Sequence, residues 1–293
     1  MSVEAFADAQ LSDQLRSLRR RASGLPLIPL AMLTTMLIAA VGADWIAPHD
    51  PLYGELGLRN IPPFWVEGGS STYLLGTDHL GRDLLSRIIH GARISLTLAG
   101  AALLIGGTVG TLLGLISGWY GGWIDEGIMR AVDVFLAIPL VLITLVFIVL
   151  FGASFPLIVI VLVSYLWVRF ARVVRGEVLR LKHLDHVALA RVAGASTARI
   201  LMLHILPGVR NTLVVVATLQ LGVLILLEAT LSFLGAGVPP PTPSWGSMIA
   251  DGRSFMANAW WISTMPGLAI LMTLLAFNLL GEWLRDALDP RFR

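Results

Sequence analysis

Few side chains in this sequence could perform chemistry, and their spacing argues against catalysis. Carboxylates stand in apolar surroundings at Asp133 and Glu228. General acid–base work needs a partner within hydrogen-bond reach, and no histidine lies near either carboxylate in a recognisable hydrolase motif. Ser196 follows Gly194 and Ala195, but in a basic loop, whereas a nucleophilic serine sits on a strand-to-helix elbow. A phosphate-binding P-loop closes on Lys followed by Ser or Thr; the single lysine, Lys182, precedes His183. The chain is therefore expected to be no enzyme, with no catalytic residues, no ATP-binding motif and no cofactor of its own. The absence of cysteine rules out disulfides and thiolate metal sites. His49 and His79 fall far from His183, His186 and His204, so no metal site is expected.

Composition says where such a chain must live. Hydrophobic residues make up 56% and charged residues 14%, against about 25% charged in soluble domains. The mean hydropathy is +0.79, too high for one soluble core. A net charge of +2 gives little support to nucleic-acid binding. Arg16, Arg19, Arg20 and Arg21 precede an apolar run at 25–43. That run exceeds the roughly 7–15 residues of a signal core, so it reads as an uncleaved anchor.

Crossing a hydrocarbon layer of about 30 Å takes about 20 apolar helical residues. Residues 25–43, 96–117, 212–234 and 262–280 each qualify. The charge-free run between Asp133 and Arg169 is too long for one span, and Gly152, Ser154 and Pro156 offer a turn that would make it a hairpin. Lys and Arg concentrate on the cytoplasmic side of short loops. With the hairpin, 16 of the 21 basic residues lie inside; without it, the eight between Arg169 and Arg210 would lie outside. The expectation is an all-α polytopic membrane helix bundle of six transmembrane helices with both termini cytoplasmic, in the inner membrane. Residues 1–24 form a cytoplasmic segment, 25–46 the anchor span, 47–91 an external loop, and 92–290 the core with a cytoplasmic loop at 169–210.

Local patterns assign roles within that frame. Gly106, Gly110, Gly114 and Gly118 form a ridge on one helix face, which lets helix backbones approach closely. Arg130 and Asp133, three apart, can pair. Glu228 is costly in lipid and either makes a structural or gating contact or lines a path. Pro239, Pro240, Pro241 and Pro243 precede Trp245, Trp260 and Trp261, which suit an interfacial cap at headgroup level. In the cytoplasmic loop, Val187, Ala190, Val192, Ala193, Ile200, Leu203 and Leu206 fall on overlapping apolar faces. Gly194 interrupts this pattern and Pro207 ends it. The result is either a helix–turn–helix knob for a partner or an amphipathic hairpin on the bilayer.

The run from Asp185 through Ala188, Ala190, Arg191, Gly194, Ala195 and Ser196 to His204, Leu206 and Pro207 resembles the E-A-A-x-x-x-G-x(9)-I-x-L-P loop of binding-protein-dependent ABC permeases. Ala190, Gly194, Leu206 and Pro207 fit; Ala188, Leu189 and His204 replace Glu, Ala and Ile. The external run Gly76-Thr77-Asp78, with Gly81-Arg82-Asp83, looks like the signature of the dipeptide, oligopeptide and nickel permeases, specifically the second permease of their pair. The resemblance implies type I ABC importer architecture and peptide transport, with nickel chelates as the alternative cargo. It also implies a second permease subunit, two ATP-binding subunits carrying ATP and Mg²⁺, an external substrate-binding protein and surrounding membrane lipid as partners, with no nucleic acid. The loop at 185–207 would then be the ATPase-coupling element.

Overall fold

A computed structural model of the protein describes residues 26–288. The expected segment 1–24, its four arginines and both chain termini lie outside the described residues.

Helix α1, Leu27–Val41, is apolar throughout, and a further turn at Ala43–Ile46 follows it. Its last carbonyls have no partners within the helix. Arg93 supplies them, donating through Nε to the Ala40 carbonyl at 2.8 Å and through Nη2 to that of Val41 at 3.1 Å. The following loop packs on itself and ends where Asp83 caps helix α2, Leu84–Tyr120, by accepting from the Ser86 N–H at 2.9 Å. Residues 84–91, read above as loop, are therefore helical. At 37 residues and about 1.5 Å per residue, α2 is longer than the hydrocarbon layer is thick.

Gly121 (φ 65°) and Gly122 (φ 55°) reverse the chain where β-carbons would be strained. Helices α3, Gly122–Ala137, and α4, Leu140–Phe151, follow, bent by 82° to each other at Ile138-Pro139. The residue before a proline is driven out of the helical region, and Ile138 is extended. Gly152 (φ 77°) turns the chain again, and Ser154 caps helix α5, Phe155–Leu181. The turn falls where the hairpin was expected.

Helices α2 and α5 are packed through the glycine ridge. A β-carbon on Gly110 would lie 2.3 Å from the Trp167 carbonyl oxygen; on Gly114, 2.7 Å from that of Ala171; on Gly118, 2.7 Å from Val178 Cβ. The partner numbers rise together, so the two helices run parallel. Parallel neighbours require a return crossing between them, and α3–α4 supply it.

Helix α6, Asp185–Val192, is short. Helix α7, Thr197–Phe233, runs back antiparallel to α2, and helix α8, Trp245–Gly252, begins in a Ser244–Ser247 capping box. Helix α9, Trp261–Leu288, packs antiparallel on α7, with Gly281 against Leu219 and Gly222 against Leu274. Four helices (α2, α5, α7, α9) are long and apolar enough to cross a membrane, and the bent pair makes a fifth. The expected sixth span, α1, has 15 described helical residues, about 22 Å at the usual rise.

Two further expectations change. Pro207 does not end a helix: α7 passes through it by way of a π turn at Leu201–Ile205, where the Leu206 N–H donates to the Leu201 carbonyl. The wider turn accommodates a ring that would otherwise collide with a carbonyl four residues back. Trp245 and Trp261 are buried pins, not surface anchors. The Trp245 indole donates to the Ile88 carbonyl at 2.9 Å and that of Trp261 to the Thr77 carbonyl at 3.1 Å, so each N–H is satisfied inside the protein.

Candidate functional site

One end of the bundle carries the knob. The last turn of α6 closes as a Schellman motif, in which the Gly194 N–H donates to the Arg191 carbonyl at 3.1 Å and the Ala195 N–H to that of Ala190 at 3.0 Å. That geometry needs a left-handed residue after the helix, and Gly194 has φ 77°. Ser196 then caps α7, accepting from the Arg199 N–H at 3.4 Å. Ala190, Arg191, Gly194, Ala195 and Ser196 thus build the turn itself.

The inner face of the knob is apolar. Val187, Ile200 and Ile205 are buried against Leu115 of α2, Val174, Val178 and Leu181 of α5, and Val209. Leu206 packs beside them, half-buried. Two polar ties hold the same junction. Lys182 Nζ donates to the Gly118 carbonyl at 2.9 Å, and the Arg191 guanidinium lies 4.8 Å from the Trp119 ring centroid. Half-buried His204 faces His186, with ring centroids 6.1 Å apart. Asp185, Ala188 and Pro207 are exposed. Outward, Leu189 is 68% exposed and Val192 87%. Val192 and Leu203 were expected on the apolar faces; both point outward.

Sequence reasoning missed the strongest ion pair near the knob. Arg175 donates to both Asp125 oxygens at 2.6 Å, and Ser117 also hydrogen-bonds to Asp125. This joins α2, α3 and α5 through a bidentate pair, the strongest arrangement of these groups. The expected Arg130–Asp133 pair is not formed. Asp133 pairs instead with Arg172 of α5 at 2.7 Å, and Arg130 with Glu126 at 3.4 Å. The i,i+4 partner on the same helix and the neighbouring helix are both better placed.

Glu228 is fully buried where α7 meets α2. Its carboxylate accepts from Ser232 at 2.7 Å and from Ser95 at 3.2 Å, while Ser95 Oγ also accepts from the Trp245 backbone N–H at 3.4 Å. The side chain faces protein, as a membrane carboxylate must.

At the opposite end, the signature residues fold the loop. Thr77 donates to the Leu58 carbonyl and accepts from the Ile61 N–H. Gly76 (φ 82°) lies so close to the Ile61 carbonyl that a β-carbon would sit 2.3 Å from it, and Gly81 (φ 77°) presses on the Glu55 backbone. Asp78 Oδ1 accepts from the N–H groups of Leu80 and Arg82, and its Oδ2 binds Arg82 Nε at 2.7 Å and faces Arg87 Nε at 3.3 Å. Asp78, Arg82 and Asp83 are all buried.

A family model described as "Binding-protein-dependent transport system inner membrane component" matches residues 110–293. The chain is 41% identical over 264 residues to the di/tripeptide transport system permease protein DppC of Pseudomonas aeruginosa, covering 90% of this chain and 87% of that protein. It is 45% identical over 268 residues to the glutathione transport system permease protein GsiD of Pectobacterium atrosepticum, covering 91% and 87%. Among solved structures, an inward facing conformation of the MetNI methionine ABC transporter matches with a TM-score of 0.58 at 18% identity, covering 70% of this chain and 98% of that one. This last likeness concerns the fold alone. Together with the parallel glycine-packed helices and the knob, these matches show that the chain belongs to the family of binding-protein-dependent transport inner membrane components, the permeases of ABC importers, which are not enzymes.

Proposed function

We propose that this chain is one of two different permease subunits lining the path of an ATP-driven importer of di- or oligopeptides. The knob carries the reading. It is fastened to α2 and α5 on its inner face and presents apolar Leu189 and Val192 outward, the arrangement of a rigid lever waiting for a protein cleft. The knob end is cytoplasmic in this reading and meets a pair of ATPase subunits, which bind ATP and Mg²⁺; this chain holds no cofactor. The opposite end receives peptide from an external binding protein. The peptide cargo is supported by relatives named for dipeptide, di/tripeptide and glutathione transport.

The test is reconstitution of the chain with its second permease, ATPase and binding-protein partners in proteoliposomes. ATP-dependent dipeptide uptake is expected from the complete set and none from this chain alone. Transport or ATP hydrolysis by the isolated chain contradicts the reading.

A further inference from the structure

Arg82 of the external signature and its neighbour Arg87 share more than the task of holding the loop together. Arg82 and Arg87 share one buried carboxylate, Asp78. Their second anion, Asp251 of α8, stands 4.0 Å from Arg82 Nη2 and 3.9 Å from Arg87 Nη2, too far for hydrogen bonds. Asp251 is itself exposed, while both guanidinium groups are nearly enclosed. Arg87 Nη1 also donates to the Pro51 carbonyl at 3.2 Å, but in formal charge this pair of buried cations is matched by only one close anion and one loose one.

The same groups line a cavity of about 390 Å³ between the external loop and the segment before α8, within the usual range of roughly 300–1,000 Å³ for small-molecule sites. Arg253, Thr242, Ser247 and His79 also line it, and His79 Nδ1 has no hydrogen-bond partner. Three arginines at the wall stand against Asp251 and, behind the lining, Asp78, which leaves one positive charge in excess. Guanidinium groups suit bidentate binding of a carboxylate.

We propose that this cavity binds the terminal carboxylate of the incoming peptide on Arg82 and Arg87, with Asp251 as the anion it displaces. The proposal rests on the peptide-importer reading and adds a contact made by this chain's own residues. Displacing Asp251 loosens α8 from the external loop as cargo arrives. Asp251 therefore opposes binding in the empty site and makes entry selective for an anion strong enough to replace it.

The chain lacks cysteine, which allows a direct test. Thr242→Cys is introduced into the full importer in nanodiscs without binding protein, and its modification by a small maleimide is timed with Ala-Ala or Ala-Ala amide present. Ala-Ala is expected to slow modification at least about threefold and the amide to leave it unchanged, because only the free acid makes the charge-assisted pair. Asp251→Asn removes the competing anion and is expected to lower the half-protecting Ala-Ala concentration about fivefold. Arg87→Gln is expected to abolish protection. Should that variant fail to assemble, the exposed Asp251 substitution decides alone. Equal protection by the amide, no protection by either, or an unchanged midpoint in Asp251→Asn overturns the proposal. So does protection that appears only when binding protein is added, which marks a docking surface instead. Dipeptide uptake by the same importer in proteoliposomes with its binding protein, together with no protection in the nanodiscs, defeats this site alone; absence of uptake by that complete set defeats the importer reading.

Discussion

The guanidinium of Arg191 sits 4.8 Å from the ring centroid of Trp119, fastening the knob's first helix to the end of α2. Because α2 is packed along its glycine ridge against α5, a push on the knob is delivered to two membrane helices at once. Trp119→Ala is expected to leave assembly with the ATPase intact while peptide moved per ATP hydrolysed falls severalfold. The cation–π contact itself contributes about 0.5–1 kcal/mol; because half-buried Trp119 also packs on the knob's apolar cluster, Trp119→Leu is the control that keeps apolar packing and removes the ring. The double variant with Arg191→Ala should be no worse than either single one, the signature of a shared contact. Strictly additive losses count against it.

Gly194 has φ 77°, and nothing lies within 4 Å of the point a β-carbon would occupy, so a substitution there meets backbone strain and not a clash. Gly194→Val should cost about 1–3 kcal/mol and sever co-purification with the ATPase. Gly194→Asn, which tolerates the left-handed region better, should retain most of it. Equal behaviour of the two variants removes the Schellman turn from the account.

Close approach of α2 and α5 makes a sharper prediction. Gly110→Leu would drive a side chain into the Trp167 carbonyl, whereas Gly100 of the same helix has open space around it. Overpacking typically costs about 1–3 kcal/mol. Thermal stability of the detergent-solubilised chain should drop for Gly110→Leu and stay near the parent for Gly100→Leu.

Glu228 distinguishes a structural carboxylate from a pathway one. Glu228→Gln keeps one acceptor oxygen and offers an amide donor in place of the other, so the hydroxyls of Ser95 and Ser232 both retain a partner after one of them turns, and the variant is expected to sustain peptide uptake. Glu228→Leu strands buried hydroxyls at about 1–3 kcal/mol and should lower the melting temperature. Loss of uptake in a well-folded Glu228→Gln complex would reassign the residue to the translocation path.

Periodicity and charge made much of this molecule readable. The glycine ridge on α2 announced a helix neighbour, and the basic run at 169–210 demanded the hairpin whose turn the structure puts at Gly152. Long-range partners were not readable. Asp125 meets Arg175 and Asp133 meets Arg172 only because α3 lies beside α5, a relation that no local spacing encodes. Trp245 and Trp261 look like interfacial anchors until their N–H groups find backbone carbonyls at Ile88 and Thr77. At the knob, Gly194 signalled the turn, but Val187 and Val192 carry the same side chain and face opposite ways. The π turn before Pro207 arises from a local conflict between the proline ring and the helix, which sequence shows as a break rather than a widening.

The most direct test of the coupling claim uses the absence of cysteine. Val192, 87% exposed on the outer face of the knob, is replaced by Cys in the assembled importer and treated with a short bifunctional reagent. The account predicts a cross-link to the ATPase subunit whose yield changes when ATP is added, and none from a Leu80→Cys control at the opposite end. A Val192→Cys residue that forms no ATPase cross-link, and that an impermeant maleimide reaches from outside intact cells, would contradict it.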